Sequence, residues 1–142
     1  MLLSPKLEQF PNIKKIIDAL ALRTSSLESA TAFQRVVTMK TGVSATVGQL
    51  IAYTSDGYVL ADNTSFNTMC DIVMVSKIEN NQIFVIDIGT TNTSLKSGVY
   101  YVGTAGNPTK VKPKASGSFV ESIGHVENGT FVFRPSIAVK LV

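Results

Sequence analysis

Apolar positions fall into two regimes along the chain. From Ser4 to about Phe33 they recur at three- and four-residue steps, so that Ile13, Ile16, Ile17, Leu20 and Leu27 share one face of a predicted helix. Ser4–Pro5 makes a suitable start, a capping side chain followed by proline at the first helical position. Pro11 then ends a first short segment. Ser25 and Glu28 have capping-box spacing, which allows the helix to stop and restart at RTSSLES. Positions 13, 20 and 27 keep a seven-residue interval, but the run is shorter than a coiled coil requires. Two readings stay open for residues 1–33: a helix packed on its own domain, or an arm for oligomerisation and anchoring.

From Gln34 to the end the pattern is strand and turn. FQRVVTMKT, QLIAYT, YVLAD, CDIVMVSKI, QIFVIDI, GVYYVG, TKVK, SFVESIGHV, TFVFR and SIAVKLV are short and rich in Val, Ile, Thr, Tyr and Phe. Ser-Asp-Gly, Asn-Asn, Gly-Asn-Pro, Ala-Ser-Gly and Asn-Gly separate them. Short strands with turn signals at this spacing predict a mainly β fold over residues 34–142, a β-sandwich or small β-barrel behind the N-terminal α-helical arm. Asn128-Gly129 is the strongest hairpin signal, because both residues tolerate the positive φ of a type I′ turn.

Two stretches repeat one phrase: IENNQIFV, starting at Ile78, and VENGTFVF, starting at Val126, lie 48 positions apart. The likeness extends outward, since Gly48 and Gly98 open similar units at an offset of 50, and a two-residue deletion in the second copy reconciles the offsets. Residues 47–89 and 96–136 therefore read as two related β-units. Two copies are too few for a solenoid or propeller and suit one sandwich or barrel.

Composition narrows the class. The 142 residues are 44 % hydrophobic and only 16 % charged, in the range of a globular domain with a core of its own. A net charge of +3 is mildly basic and does not argue for nucleic acid. No 18-residue apolar run is present, so no membrane span is expected. The start, MLLSPKLEQFPN, lacks the basic and apolar regions of a secretion signal. The single cysteine, Cys70, cannot form an intrachain disulfide or a multi-cysteine metal site.

Candidate chemistry is thin. VIDIGTTNTS, from Val85 to Ser94, resembles the first phosphate loop of the sugar kinase and actin-like ATPase superfamily. That fold opens on the motif and alternates strands with helices, whereas here the motif sits at mid-length in β patterning, so it reads as a strand, a glycine turn and a polar loop. His125, the only histidine, falls just before a turn, and no Gly-x-Ser-x-Gly elbow accompanies it. Asp56 and Asp62 read as turn residues, and no calcium loop is present. Lys110, Lys112 and Lys114 recur at period two; they form a basic stripe or guard a strand edge against pairing. Asn63-Thr64-Ser65, Asn92-Thr93-Ser94 and Asn128-Gly129-Thr130 match glycosylation sequons but read as turns. Neither an enzyme, a metal nor a cofactor is expected.

SGVYYVGTAGNPTKVKPKASGSFVESIGHVENGTFVFRPS resembles a small β-domain of bacteriophage virion proteins, found in head-decoration and tail-fibre components. The residues that carry the likeness are Gly98, Tyr100-Tyr101, Gly106 to Thr109, Pro113, Ser116-Gly117, Ile123-Gly124, Asn128-Gly129 and Pro135. GQLIAYTSDGYVLAD is similar to the opening of capsid decoration proteins, with Gln49 where that pattern has Asp. The resemblance spans roughly residues 47–136 and leaves the arm outside it. It implies a non-enzymatic virion structural protein that meets a major capsid protein or tail component and forms a homo-oligomer, a trimer by preference. Ile13, Ile16, Ile17, Leu20 and Leu27 are then the candidate interface, and Tyr100, Tyr101, Lys110, Lys112 and Lys114 the candidate surface contacts. The rival reading is a tail-fibre or adhesin module in which Tyr53, Tyr58, Tyr100 and Tyr101 stack on host glycans.

Overall fold

A computed structural model describes residues 33–142, which belong to one compact unit. The predicted helix and its face of Ile13, Ile16, Ile17, Leu20 and Leu27 lie outside the described residues. Twelve short strands follow in order: β1 (Arg35–Val37), β2 (Leu50–Ala52), β3 (Val59–Leu60), β4 (Val73–Glu79), β5 (Gln82–Ile86), β6 (Gly89–Asn92), β7 (Gly98–Val102), β8 (Pro108–Thr109), β9 (Phe119–Val120), β10 (Ser122–Glu127), β11 (Thr130–Phe133) and β12 (Val139–Lys140). Among the described residues a single 3-10 turn, Phe66–Thr68, breaks the β pattern.

The strands form two five-stranded antiparallel sheets, ordered β1-β5-β4-β2-β3 and β6-β11-β10-β7-β8, and a small pair of β9 with β12. The two orders are the same once β1 is matched with β6, β2 with β7, β3 with β8, β4 with β10 and β5 with β11. Registers match as well. Ile51 opposite Leu60 and Ala52 opposite Val59 correspond to Tyr101 opposite Thr109 and Val102 opposite Pro108. Glu79 opposite Gln82 corresponds to Glu127 opposite Thr130. In both hairpins the two turn residues have positive φ: 52° and 61° at Asn80 and Asn81, 50° and 78° at Asn128 and Gly129. That is the backbone of a type I′ turn, whose twist suits the flanking strands.

Period-two alternation sends one set of side chains from each sheet into a shared core. Leu50, Ala52, Met74 and Ile86 of the first sheet meet Tyr100, Val102, Ile123, Val126, Phe131 and Phe133 of the second. The first sheet also buries its other face. Val37, Ile51, Tyr58, Val73, Val75 and Val85 form a second cluster, roofed in part by Met39 and Ala45. Those two belong to the connection between β1 and β2, residues 38–49. Its counterpart between β6 and β7 spans only 93–97 and provides no such roof. Val99 and His125 consequently stay exposed on the outer face of the second sheet, with Tyr101 and Val132 half-buried beside them.

Three details differ from the sequence expectation. The polar loop read at Gly89–Asn92 is strand β6, hydrogen-bonded along β11 from Gly89 opposite Phe133 to Asn92 opposite Thr130. Thr is at home on a half-buried strand, and a polar run conceals that. SFVESIGHV, read as one strand, is divided at Glu121 into β9 and β10, which pair in different sheets. TKVK yields only the end of β8, so Lys110, Lys112 and Lys114 lie beyond the strand edge in an irregular exposed segment.

Candidate functional site

A cleft of about 420 Å³ opens beside β1, bounded by the start of β4, the end of β5 and the C-terminal segment around Pro135–Ala138. Its polar lining comes from Arg35, Tyr58, Asp71, Asp87, Glu121 and Ser136. Arg35 begins β1 directly opposite Val85, and Asp87 lies two residues past Val85, on the same side of its strand. A diagonal neighbour of this kind is within reach of a long side chain. Arg35 accordingly donates Nε to Asp87 Oδ2 at 2.8 Å and Nη2 to Asp87 Oδ1 at 2.9 Å, a two-pronged pair. Nη2 also donates to the Tyr58 hydroxyl at 3.1 Å, and the guanidinium carbon lies 5.9 Å from the centre of that ring. Tyr53 meets Tyr58 edge-on, with ring centres 5.7 Å apart.

Glu121 faces this cluster. Phe119, Glu121 and Ile123 are all buried, so alternation points the acid into a position where the neighbouring strand residues are apolar. It is only 4 % exposed, and its carboxyl makes no hydrogen bond among the described residues. No fully covered side-chain oxygen is left without a partner among those residues, so the carboxyl oxygens keep some solvent contact, and Glu121 lines the cleft. The returning chain is fixed next to Glu121: Ser136 N donates to Ser122 O at 2.8 Å, and Ser122 N donates to Ser136 Oγ at 3.1 Å. Asp71 borders the cleft from a left-handed turn, φ 46°, a conformation that Asp accepts better than most residues.

Asp87 and Glu121 are driven in opposite directions. Hydrogen bonding from Arg35 holds Asp87 below the usual carboxylate range, and Asp87 in turn raises the Arg35 guanidinium further above its ordinary value. Burial pushes Glu121 up to about 7, with no hydrogen bond or cation to offset it. A carboxyl left in that state favours a ligand that brings positive charge or a hydrogen-bond donor. Among the described residues no three His, Cys, Asp or Glu side chains converge as a metal site, and no helix is long and apolar enough to cross a membrane.

Of the residues singled out from the sequence, Tyr58 and Asp87 line this cleft, whereas Tyr100, Tyr101, Lys110, Lys112 and Lys114 do not. Tyr100, a candidate surface contact, is buried at 4 % exposure in the core between the sheets, its hydroxyl donating to Lys96 O at 2.7 Å. That is a correction, and its cause is strand phase: Tyr100 alternates inward with Val102. Tyr101 points to the other face and is half-buried. Lys110, Lys112 and Lys114 are exposed, and none makes an ion pair with a described residue. Asp87, from the phosphate-loop motif, is exposed but paired with Arg35, and the Gly-Thr-Thr that follows is paired in a sheet. Asn63 of the first sequon is buried, with Nδ2 donating to Val102 O at 3.0 Å. Asp62 does serve its turn: burial opposes its ionisation, but hydrogen bonds from Thr64 and from Ala105 N outweigh it and lower its pKa.

Arg35, Asp71 and Glu121 were missed. The Arg35–Asp87 pair spans 52 residues and has no local signature. Glu121 did leave one, an acid in phase with Phe119 and Ile123. Comparison of the chain with protein families, with curated proteins and with solved structures found no match.

Proposed function

We propose that the chain is a non-enzymatic structural protein of a bacteriophage particle, of capsid-decoration or head-fibre type, built as a β-sandwich from one duplicated unit. It attaches to the particle through other virion proteins and forms a homo-oligomer, with a trimer favoured. One observation carries the assembly reading. Val36 on the edge strand β1, Val43, and Ile78 and Ile83 of the β4–β5 hairpin line one groove, with Val36 and Ile78 49 % and 41 % exposed. An apolar groove beside an open strand edge is a surface that proteins ordinarily cover. The matched strand orders support duplication, and the resemblance over residues 47–136 supports the virion assignment.

Light scattering tests this reading, with a solution mass three times the 15.2 kDa chain as the expected result. Ile16→Asp with Leu20→Asp should abolish oligomerisation or particle attachment if the segment before Phe33 carries assembly. A double variant that stayed assembled would remove that segment from the proposal. A chain that remained monomeric at about 100 µM would remove the oligomer.

The glycan-binding reading keeps one specific support, the polar cleft with Tyr53 half-exposed next to it. Burial of Tyr58 and Tyr100 takes away two of the stacking rings it needed. A glycan array without hits would end it.

A further inference from the structure

The cleft holds more carboxylate than cation. Arg35 is committed to Asp87, which leaves Asp71 and Glu121 facing the same space without a positive partner among the described residues. Glu121 is the telling group, more than nine-tenths buried, without a side-chain partner among the described residues, and part of the cleft lining. Burying a carboxyl without a hydrogen bond is costly, and an ammonium group brought to it would offset that cost.

The same chain carries ammonium groups of the complementary kind. Lys112 and Lys114 flank Pro113 on an exposed segment and have no acidic partner among the described residues. Proline fixes its own φ and biases the preceding residue toward an extended backbone, so the two lysines sit on a stiffened stretch. Stiffness before docking reduces the entropy lost on association. The two ammonium groups match in number the two carboxyls of the cleft that lack a cation among the described residues.

We propose that the cleft lined by Asp71 and Glu121 receives Lys112 and Lys114 of a second copy of this chain, so that copies join head to tail and close into a ring. This rests on the homo-oligomer reading and names the surfaces that make it. A contact between two different patches is heterologous, and such contacts close into cyclic assemblies when the rotation between copies allows. Four titratable or charged neighbours face Glu121 across the cleft, namely Arg35, Tyr58, Asp71 and Asp87. Of these only Arg35 is a cation, and it is already paired.

Complementation tests the pairing directly. One variant carries Asp71→Asn and Glu121→Gln, which keep shape and remove charge; the other carries Lys112→Glu and Lys114→Glu. Each alone should fall to the single-chain mass of 15.2 kDa in light scattering. Mixed in equal amounts, they should form a species of two chains, because the first retains its lysines and the second retains its cleft. The ring cannot close, so growth stops at one contact.

Either variant keeping the wild-type mass, or a mixture that stays monomeric, overturns this proposal while leaving the oligomer intact. A wild-type chain that is itself monomeric overturns both. Should Glu121→Gln unfold the domain, Asp71→Asn alone serves as the cleft variant in the same mixture. In that case the dissociation constant is expected to rise at least tenfold.

Discussion

Gly124 shows how little room a single residue can have. Its φ is +126°, and a Cβ built there would lie 1.8 Å from Val132 O on the neighbouring strand. Both faults act together, since the conformation disfavours any L side chain and the contact is with backbone that cannot swing away. Gly124→Ala should destabilise the domain by roughly 2–4 kcal/mol, read as a fall in the urea midpoint. Glu121 is the opposite case, a residue that fits sterically and costs electrostatically. Its pKa is raised from 4.5 to about 7, so its contribution is intact below 4.5 and is lost as pH rises through 7. Glu121→Gln should therefore be close to neutral at pH 4 and stabilise dilute protein by about 1–3 kcal/mol at pH 8. Equal effects at the two pH values would show that the carboxyl is not desolvated in solution. Asp87 works in the other sense: its depressed pKa contributes stability at neutral pH that disappears as pH falls through that value.

Among the elements, the hairpins were the most legible. Asn-Asn and Asn-Gly between apolar runs state a turn type, and the turn type sets the register of the strands it joins. The two corners differ in one position, Asn81 against Gly129, both with positive φ. Asn81→Gly should stabilise the first hairpin by about 0.5–1 kcal/mol, because glycine enters that region without strain. Thermal unfolding would check it, and a lower midpoint would mean that the Asn81 side chain contributes something its backbone angle does not reveal. Strand β6 was illegible for a physical reason. Its residues are Gly, Thr, Thr and Asn, polar at every position, and their pairing is dictated by β11 beside them. Local pattern carries no trace of a partner forty residues away. The cleft suffers from the same limit more severely, since it draws on β1, the turn before β4, the end of β5 and the residue between β9 and β10. Only the phase of Glu121 within SFVESIGHV was written locally.

At the scale of the molecule, repetition and asymmetry matter together. Equal strand orders give two sheets one set of packing rules, and a core of Phe131, Phe133, Leu50 and Ile86 joins them. Unequal connections then make the outer faces different, one roofed by residues 38–49 and one left with Val99, Tyr101 and Val132 at its surface. Duplicated sheets therefore need not present duplicated surfaces, which suits a protein whose two sides meet different neighbours. The proposed ring would need such a difference, because an acidic cleft on one side has to meet lysines on another.

The position of the Arg35–Asp87 clamp has a mechanical consequence. It closes on the first residue of β1, ahead of the short ladder with β5 that ends at buried Val37. Tension drawn along the chain from before Phe33 reaches the clamp first, the ladder next and the core last. The exposed ion pair adds at most ~1 kcal/mol to resting stability. Under load it acts as the latch that must open before the strand can peel, so a pulling experiment on Arg35→Met should show β1 detaching at lower force while the resting fold is almost unchanged.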